Sequence, residues 1–402
     1  MARIAVVDLV FHWPPRGGSM VHIREVLRRL TRHHELRLFV PHMEKFYPRG
    51  VIKEEPGFPV ETVPCRWYQF NPYHIIRALR RRVDEFKPDL VWVADGWALK
   101  PYLLKAFGDY KLWHRFFAYE MLCPLGNERF RRGTRCRYTV LTSSMSCSRH
   151  ILSELLRYSI KRKLNGPLFE AAVSLAFSPG YVRAVREALL VCDRHIVSST
   201  HYLDLFEGVD APITVIPAGV DTDHFSIGQE EGQGILMVGR VGDPAKGFSV
   251  LKDALRILRK KGYDAVVKVT GNSREDEGII NIPWKNYSDM PTIYREASVV
   301  VIPSLWEEPF GKVAIEAMAC GIPVVASRCG ALTNIIQDGV SGLLFTPGNF
   351  GELAEKLELL LTHTNLRKQI IQAGRERAED HFAWDKIVQD VYLPMIDMDL
   401  KI

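Results

Sequence analysis

The chain contains 402 residues, of which 47% are hydrophobic and 25% are charged, and its formal net charge is +6. This length exceeds what one hydrophobic core usually organises, so we expect two domains. No apolar run is long enough to span a membrane, no tract is of low complexity, and no nucleic-acid-binding module accompanies the positive charge. These features argue against a membrane-spanning protein, a low-complexity protein and a nucleic-acid-binding protein.

The first half of the sequence alternates buried strands with helices. A strand is predicted at residues 4–11, and an amphipathic helix at residues 20–34 with Ser19 as its N-cap. The loop between them contains Gly17 and Gly18, which by themselves indicate only a tight turn. Further buried strands are predicted at residues 36–40, 90–94, 111–118, 195–198 and 214–216. This alternation is typical of a parallel, doubly wound sheet.

Positive charge is concentrated in the first part of the chain. Residues 1–230 contain 33 Lys and Arg against 24 Asp and Glu, whereas the remainder contains 20 against 23. Basic residues cluster at 129–137 and at 149–163, and leucines are interleaved with the second cluster. That cluster fits two structures. One is an interfacial helix or a dock for an anionic, lipid-linked acceptor, and the other is a solvated basic helix packed by its leucines.

The second half of the sequence places two cations after a strand. A buried strand is predicted at residues 235–240 and an amphipathic helix at 248–261, with a polar, glycine-rich linker at 228–234 before them. Arg240 ends the strand and Lys246 lies in the loop that follows it. Because ligands bind at the carboxyl ends of parallel strands, these two side chains are candidates for fixed positive charge in a ligand site.

The most informative segment has two carboxylates that flank a glycine-containing turn. Buried strands are predicted at residues 298–302 and 323–326, with a helix at 313–320 between them. Glu308 then lies at the entrance to the helix and Glu316 lies within it, so both can face one ligand. The amino end of this helix presents the main-chain N–H groups of Phe310, Gly311 and Lys312. Such groups suit an anionic or polyhydroxyl ligand. The alternative interpretation is that this segment is not a ligand site, in which case Glu308 only caps the helix and Glu316 is exposed to solvent.

The spacing of these glutamates resembles a motif of the retaining glycosyltransferases of family 4, which have the GT-B fold. The resemblance implies an α/β fold of two doubly wound, Rossmann-like domains that face a central cleft. It also implies that Glu316 binds the ribose of a nucleotide and that Glu308 contacts hydroxyls of the donor sugar. Arg240 and Lys246 would hold the diphosphate, and the main chain at Phe310, Gly311 and Lys312 would meet the sugar or the diphosphate.

The resemblance extends to the first half of the chain, with departures. Gly17 and Gly18 resemble the glycine loop that approaches the donor phosphate and the acceptor. Family members commonly have a catalytic histidine after the strand predicted at 111–118, but this chain has Glu120 near that position, whereas His114 lies within the strand pattern. Glu120 is a candidate to steady the reacting sugar, to orient the acceptor or to act as a nucleophile, and an ordinary loop glutamate is the alternative. Asp95, after the strand at 90–94, is a weaker candidate.

The donor loop departs from the family as well. Where the family has a double glycine and then Pro-Glu, this chain reads Cys329, Gly330 and Ala331, with Asn334 in place of the carboxylate. This difference leaves the usual sugar preference open, whereas nucleotide binding through Glu316 and Arg240 does not depend on it.

The resemblance implies domains at residues 1–228, which would bind the acceptor, and 229–381, which would bind the sugar nucleotide. Residues 382–402 would return onto the first domain. We expect a metal-independent, retaining hexosyltransferase that moves a sugar from a UDP-sugar or GDP-sugar to a hydroxyl acceptor, with no permanently bound cofactor. The acceptor would be a glycan, a small molecule or an anionic, lipid-linked molecule.

Two alternatives stay open, namely a sugar phosphorylase of the same fold and a non-catalytic subunit that binds sugar nucleotides. Seven cysteines without metal-binding spacing indicate reduced thiols and a cytoplasmic protein. The basic first domain leaves open a peripheral contact with the inner face of a membrane. We expect no nucleic-acid partner.

Overall fold

The computed structural model describes residues 1–15, 17–125, 129–131, 133–161, 166–206, 208–229, 232–263, 266–271, 278–283 and 285–401. The chain divides into two compact units. The first unit comprises Met1–Arg129, Cys136–Ile216 and Val388–Ile402, and the second comprises Phe130–Arg135 and Pro217–Ile387. Each unit is built on a parallel sheet with helices, as the alternating sequence pattern predicts.

The sheet of the first unit has the strand order β3-β2-β1-β4-β5-β8-β9, with every neighbouring pair parallel. Its strands are β1 (Arg3–Val7), β2 (Glu35–His42), β3 (Val60–Pro64), β4 (Leu90–Val93), β5 (Leu112–Arg115), β8 (Arg194–Val197) and β9 (Ile213–Val215). The intervening β6 (Phe130–Arg131) and β7 (Thr134–Arg135) form a short antiparallel hairpin that belongs to the second unit. The chain order reverses between β1 and β4, so loops after these two strands diverge there.

The helices of the first unit are α1 (Gly18–Leu30), α2 (His74–Phe86), α3 (Lys100–Ala106), α4 (Ser144–Lys161), α5 (Gly166–Val173) and α6 (Pro179–Val191). The chain returns to this unit at Val388–Tyr392, a π-helical turn, and ends in a helix at Leu393–Leu400. The hydroxyl of Tyr392 accepts a hydrogen bond from Arg115 at 2.9 Å. Asp399 accepts a hydrogen bond from the indole of Trp113 at 2.7 Å and pairs with Arg194. The last residues therefore complete the interior and edge of the first unit.

The second unit has a sheet in the order β12-β11-β10-β13-β14-β15, again with parallel neighbours. Its strands are β10 (Ile235–Met237), β11 (Val267–Thr270), β12 (Ile279–Ile282), β13 (Val299–Ile302), β14 (Val324–Ser327) and β15 (Leu343–Phe345). The chain order reverses between β10 and β13, and a reversal of this kind marks the usual ligand crevice of such sheets.

Helices α7 (Phe248–Lys260), α8 (Met290–Arg295), α9 (Lys312–Ala319), α10 (Leu332–Ile335), α11 (Phe350–Thr362), α12 (Thr364–His381) and α13 (Trp384–Ile387) accompany this sheet. The last helix, α14 (Leu393–Leu400), belongs to the first unit. Buried side chains of α7, including Leu251, Leu255 and Leu258, form one core with strand residues such as Val301 and Val325. This core fixes where the loops after β10 and β13 begin.

Some predicted boundaries differ from the structure for identifiable reasons. The first strand ends at Val7, because the Asp8 carboxylate accepts hydrogen bonds from the N–H groups of Val10 and Phe11 and turns the chain. Ser19 is not the N-cap of α1, since the helix begins at Gly18 and Gly17 occupies the cap position with no side-chain hydrogen bond. The core positions of the predicted strands and of α7 are confirmed.

The units divide at Ile216 and Pro217 rather than at residues 228 and 229, and the second unit extends to Ile387 rather than to residue 381. The segment that follows Ile216 is tied to the end of the second unit. Val220 N–H donates to the Phe382 carbonyl at 2.8 Å, and Trp384 N–H donates to the Val220 carbonyl at 3.2 Å. These main-chain bonds, which a sequence does not display, explain the shift.

The basic segments are only partly described. Arg132, Arg162 and Lys163 of the predicted basic clusters lie outside the described residues, and α4 carries the second cluster as far as Lys161. Among the described residues, no helix combines the length and the apolar character that crossing a bilayer requires.

Candidate active site

Two loops of the second unit are fastened together at the strand reversal. Gly247 has φ +71°, and a Cβ added there would lie 1.8 Å from the Pro303 carbonyl oxygen, so only glycine allows this approach. The Leu305 N–H donates to the Ala245 carbonyl at 2.8 Å. The loop after β10, which carries Lys246, is therefore held directly against the loop after β13.

Lys246 and Glu308 meet across these two loops. The Lys246 Nζ donates to the Glu308 Oε1 at 2.8 Å. The same oxygen accepts hydrogen bonds from the Ser304 hydroxyl at 2.5 Å and from the Trp306 indole at 2.9 Å. The Lys246 ammonium also lies 4.6 Å from the centre of the Trp306 ring, within range of a cation–π contact.

This network controls the ionisation of Glu308, which is 6% exposed. Burial by itself raises the pKa of a carboxyl group, but the charge and hydrogen bond of Lys246, aided by Ser304 and Trp306, lower the pKa of Glu308 below its ordinary value. The side chain is therefore an anion at neutral pH and offers acceptor oxygens for hydroxyl groups of a ligand.

The main chain of Glu308 is held by the loop after β14. Gly330 has φ +52°, and a Cβ there would lie 2.4 Å from the Glu308 carbonyl oxygen. The Ala331 N–H donates to that same oxygen at 2.9 Å, and the Cys329 thiol donates to the Ser304 carbonyl at 3.6 Å. The part of the chain that departs from the family pattern therefore supports the first glutamate of the motif.

Gly311 precedes α9 with φ +102°, and a Cβ there would lie 2.7 Å from a side-chain carbon of Leu332. The helix begins at Lys312, one residue before its predicted start, so Phe310, Gly311 and Lys312 lie at its amino end as predicted. Their main-chain N–H groups are at the end of the helix where donors lack intrahelical partners and partial positive charge accumulates.

Glu316 is buried within α9 and has a different set of partners. The Tyr294 hydroxyl donates to its Oε2 at 2.8 Å, and the Lys312 Nζ lies 3.8 Å from its Oε1. Burial raises the pKa of Glu316, and Lys312 and Tyr294 only partly oppose this effect. The charge of His224 also opposes the rise in the pKa of Glu316.

Arg240 follows β10 in the same loop as Lys246. Its guanidinium lies 3.2 Å from the Asp243 carboxylate, and its side chain is 60% exposed. The structure therefore brings Lys246 and Glu308 into contact and puts Glu316 beside Lys312, while Arg240 remains a solvent-accessible cation on the loop that carries Lys246.

The comparisons with known proteins agree with this geometry. Residues 220–377 match the family model described as glycosyl transferases group 1. Phosphatidyl-myo-inositol mannosyltransferase of Mycobacterium leprae is 29% identical over 236 residues, which cover 55% of this chain and 62% of that protein. Sucrose-phosphate synthase from Thermosynechococcus elongatus aligns over 99% of both chains with a TM-score of 0.70 and 17% identity. HepE of Anabaena, solved with UDP-glucose, aligns over 99% of this chain and 100% of its own with a TM-score of 0.70 and 16% identity.

The chain has the GT-B fold, and its residues 220–377 are similar to glycosyl transferases group 1. The two predicted Rossmann-like domains are confirmed, and so is the resemblance to glycosyltransferases. The chain spans about half the length of the curated relatives that it matches.

In the first unit of this GT-B chain, the candidate glycines lie at the amino end of α1. Gly17 is exposed and extended, with φ −161° and ψ 164°, and Gly18 begins the helix. A Cβ at Gly17 would meet no described atom within 4 Å. The local packing therefore does not require glycine at this position, and close approach of a ligand remains a prediction.

Glu120 is turned into the first unit. Its two carboxylate oxygens accept hydrogen bonds from the N–H groups of Phe117 and Ala118, each at 2.9 Å, and it is 1% exposed. Burial raises the pKa of Glu120, against the opposing charge of Lys100, whose Nζ lies 3.8 Å away. This geometry favours a side chain that shapes the turn after β5 over one that touches a substrate.

His114 lies in the interior of the sheet, as its place in the strand pattern predicts. Its Nδ1 lies 2.9 Å from the Nδ1 of His195 on the neighbouring strand, and both rings are fully buried. The weaker candidate Asp95 lies beside Asp8, and burial together with the Asp95 charge raises the pKa of Asp8 to about 7.

Sequence analysis missed several residues of the site. Ser304 and Trp306 lie inside the motif segment but carry no recognisable signal of their own, and Tyr294 lies in α8 outside any motif. Only the fold shows that these side chains bind the two glutamates. In the parts of the chain that the structure describes, no three His, Cys, Asp or Glu side chains are grouped as ligands for a metal ion.

Proposed function

We propose that this protein is a retaining glycosyltransferase that moves a sugar from a nucleoside diphosphate sugar to a hydroxyl acceptor. The Lys246–Glu308 pair at the strand reversal carries the proposal. One member is a cation suited to a diphosphate and the other an anion suited to sugar hydroxyls, and they come from separate loops that glycine packing holds together.

Each candidate residue then has a physical task. Arg240 and Lys246 neutralise the diphosphate, Glu308 accepts hydrogen bonds from the sugar, and Glu316 accepts hydrogen bonds from the ribose. The N–H groups of Phe310, Gly311 and Lys312 bind oxygens of the sugar or the diphosphate. A diphosphate bound beside the Lys246–Glu308 pair would give the ammonium a second anionic partner, while the carboxylate accepts hydrogen bonds from sugar hydroxyls.

In the proposed reaction the bond between the anomeric carbon and the diphosphate oxygen breaks as the acceptor oxygen bonds to the same face of that carbon. The acceptor proton passes to the departing diphosphate. Positive charge at Arg240 and Lys246 stabilises the negative charge that develops on the leaving group, and Gly17 and Gly18 admit the donor or the acceptor closely. Glu120 is proposed as a positioning residue for the turn after β5, because its oxygens are occupied by main-chain donors.

We propose a UDP-sugar or GDP-sugar donor, and the neighbours support the first of these. The structural neighbour HepE was solved with UDP-glucose, and the relative from Mycobacterium leprae is named as a mannosyltransferase that acts on a phosphatidylinositol. We propose a hydroxyl acceptor of the same broad chemistry, which includes an anionic, lipid-linked molecule.

The test is hydrolysis of the donor in the absence of an acceptor, with UDP-sugars, GDP-sugars and ADP-sugars as separate probes. We expect one base to support release of its nucleoside diphosphate and to raise the melting temperature of the protein. Lys246→Ala should abolish release, whereas Lys260→Ala, an exposed lysine on α7, should not. Nucleotide-independent transfer of a sugar to phosphate, or donor binding without turnover in the presence of any hydroxyl acceptor tested, would contradict the proposal.

A further inference from the structure

Helix α4 has an exposed apolar stripe. Met145, Leu152 and Leu156 are 71%, 43% and 67% exposed, and they lie on the same face of the helix at spacings of two turns and one turn. Ile151 lies on a different side of the helix, is 1% exposed and anchors the helix to its unit. Leu152 and Leu156 therefore do not pack the helix onto the protein, whereas Leu155 is half-buried.

The stripe is bordered by positive charge. Arg149 is exposed and lies on the same face, between Met145 and Leu152, and Arg157 follows with 65% of its side chain exposed. Glu154 is the only acidic residue of α4 and already pairs with Arg157 at 3.1 Å. The surface thus combines apolar side chains with a net positive charge.

The combination of exposed apolar side chains and positive charge favours one kind of binding partner for this surface over others. A protein partner that buried the stripe in an apolar interface would also have to bury the Arg149 guanidinium, which costs free energy unless an anion meets it. A symmetric pairing of two copies through the stripe would bring like charges together. An anionic bilayer surface satisfies both features, because its acyl region accepts the apolar side chains and its phosphates accept the guanidinium groups.

A neighbouring surface has the same character. Trp67 and Tyr68 are 45% and 53% exposed, and the ammonium of Lys45 lies 4.3 Å from the Trp67 ring. Trp67 contacts Phe46, which stacks at 4.4 Å on Phe169 of α5. Helix α5 follows α4 and packs against it. The exposed rings of Trp67 and Tyr68, together with Lys45, therefore lie near the helix pair formed by α4 and α5. Aromatic rings of this kind favour the boundary between headgroups and acyl chains.

We propose that α4 is a membrane-contact helix that lies in the plane of an anionic bilayer surface, with Met145, Leu152 and Leu156 inserted and Arg149 bound to lipid phosphates. The proposal does not depend on sugar transfer. It places the first unit on the surface where a lipid-linked acceptor would be found.

The test is co-sedimentation of the full chain with vesicles, either pure phosphatidylcholine or an equimolar mixture of phosphatidylcholine and phosphatidylglycerol. We expect binding to the mixed vesicles that weakens as salt is raised. Leu152→Ser combined with Leu156→Ser should lower the partition constant by about tenfold or more. Leu190→Ser is the matched control, because Leu190 is 64% exposed on another helix of the same unit, and it should leave binding unchanged.

The charge is tested separately. Arg149→Glu should weaken binding to the mixed vesicles by several-fold and reduce its salt dependence, whereas Arg149→Lys should retain most of it. Unchanged thermal unfolding of these variants would show that the surface and not the fold has been altered. Binding that is equal for both kinds of vesicle, or that survives the double leucine substitution, would overturn the proposal, and so would a dimer that the same substitution dissociates. Acceptor-free donor hydrolysis serves as the independent readout, since failure of transfer would leave the vesicle result intact.

Discussion

Removal of the Lys246 charge should destabilise the second unit, and the loss should depend on pH. In Lys246→Met, the Glu308 carboxylate stays buried but loses the partner that opposes its desolvation. Loss of one partner of a fully buried ion pair costs about 3 to 5 kcal/mol. Lys246 retains 20% side-chain exposure, and Ser304 and Trp306 still donate to Glu308, so we expect a loss of about 2 kcal/mol near neutral pH.

The pH dependence of this loss of stability follows from the pKa of Glu308, which differs between the wild-type protein and the variant. In the wild-type protein the pKa of Glu308 is lowered on folding, so its contribution to stability is present above its ordinary pKa and is lost as the pH falls through the lowered value. In Lys246→Met burial dominates and the pKa of Glu308 should rise above the ordinary value. The variant should then regain stability on acidification as the carboxyl group takes up a proton, so the difference from the wild type should shrink towards pH 4.5.

The assay is urea unfolding of the full chain at neutral pH and near pH 4.5, with Leu251→Ala used to identify the transition of the second unit, since Leu251 is a core residue of α7. Glu308→Gln in the Lys246→Met background should recover about half of the loss at neutral pH, because it removes the uncompensated charge. A loss below about 0.5 kcal/mol at neutral pH, or an equal loss at both pH values, would refute this account of the pair.

Three further predictions concern other parts of the structure. Gly247→Ala should cost more than about 3 kcal/mol and abolish donor binding, whereas Gly262→Ala, with φ +88° but no described atom within 4 Å of its Cβ, should cost about 1 kcal/mol. Tyr294→Phe should destabilise the protein by about 1 to 3 kcal/mol near neutral pH, because the buried Glu316 loses a donor, and the cost should fall on acidification. Burial lowers the pKa of His195 to about 4, so stability should decrease by about 3 kcal/mol as the pH falls from 6.5 to about 4, and His195→Phe should flatten this dependence.

Each of these has a result that would contradict it. Equal stability of the two glycine variants would show that contact with Pro303 is not what requires Gly247. A Tyr294→Phe variant as stable as the wild type at every pH would mean that the hydroxyl does not support Glu316. An unchanged acid slope in His195→Phe, or an equally flattened slope in the exposed control His33→Gln, would assign the acid sensitivity to another group.

Residue patterns predicted the sheets better than the details of the site. Continuous apolar runs such as Val299–Ile302 and residues 324–326 are buried on both faces of a sheet, and that environment leaves a direct mark on composition. The helix with Glu316 inside was predictable because Gly321 and Pro323 end it. By contrast, β11 (Val267–Thr270) was missed because its four residues include the polar pair Lys268 and Thr270.

The contacts of the site were less predictable, because they join residues that are distant in the chain. Nothing in the sequence shows that Gly247 and Gly330 each provide close main-chain contact with the loop that carries Glu308. Glu120 was chosen for its place after a strand, but the two N–H groups that occupy it belong to its own turn. Position along a strand identifies the edge of a sheet, whereas side-chain direction depends on local hydrogen bonds.

The return of the last residues to the first unit has a consequence for biosynthesis. Arg115 and Trp113 donate to Tyr392 and Asp399, which leave the ribosome only after the whole second unit has been made. During translation the interior of the first unit therefore stays incomplete while the second unit is synthesised and folds. A nascent chain stalled before Val388 should be degraded or bound by chaperones more readily than the finished protein, although it already contains every strand of both sheets.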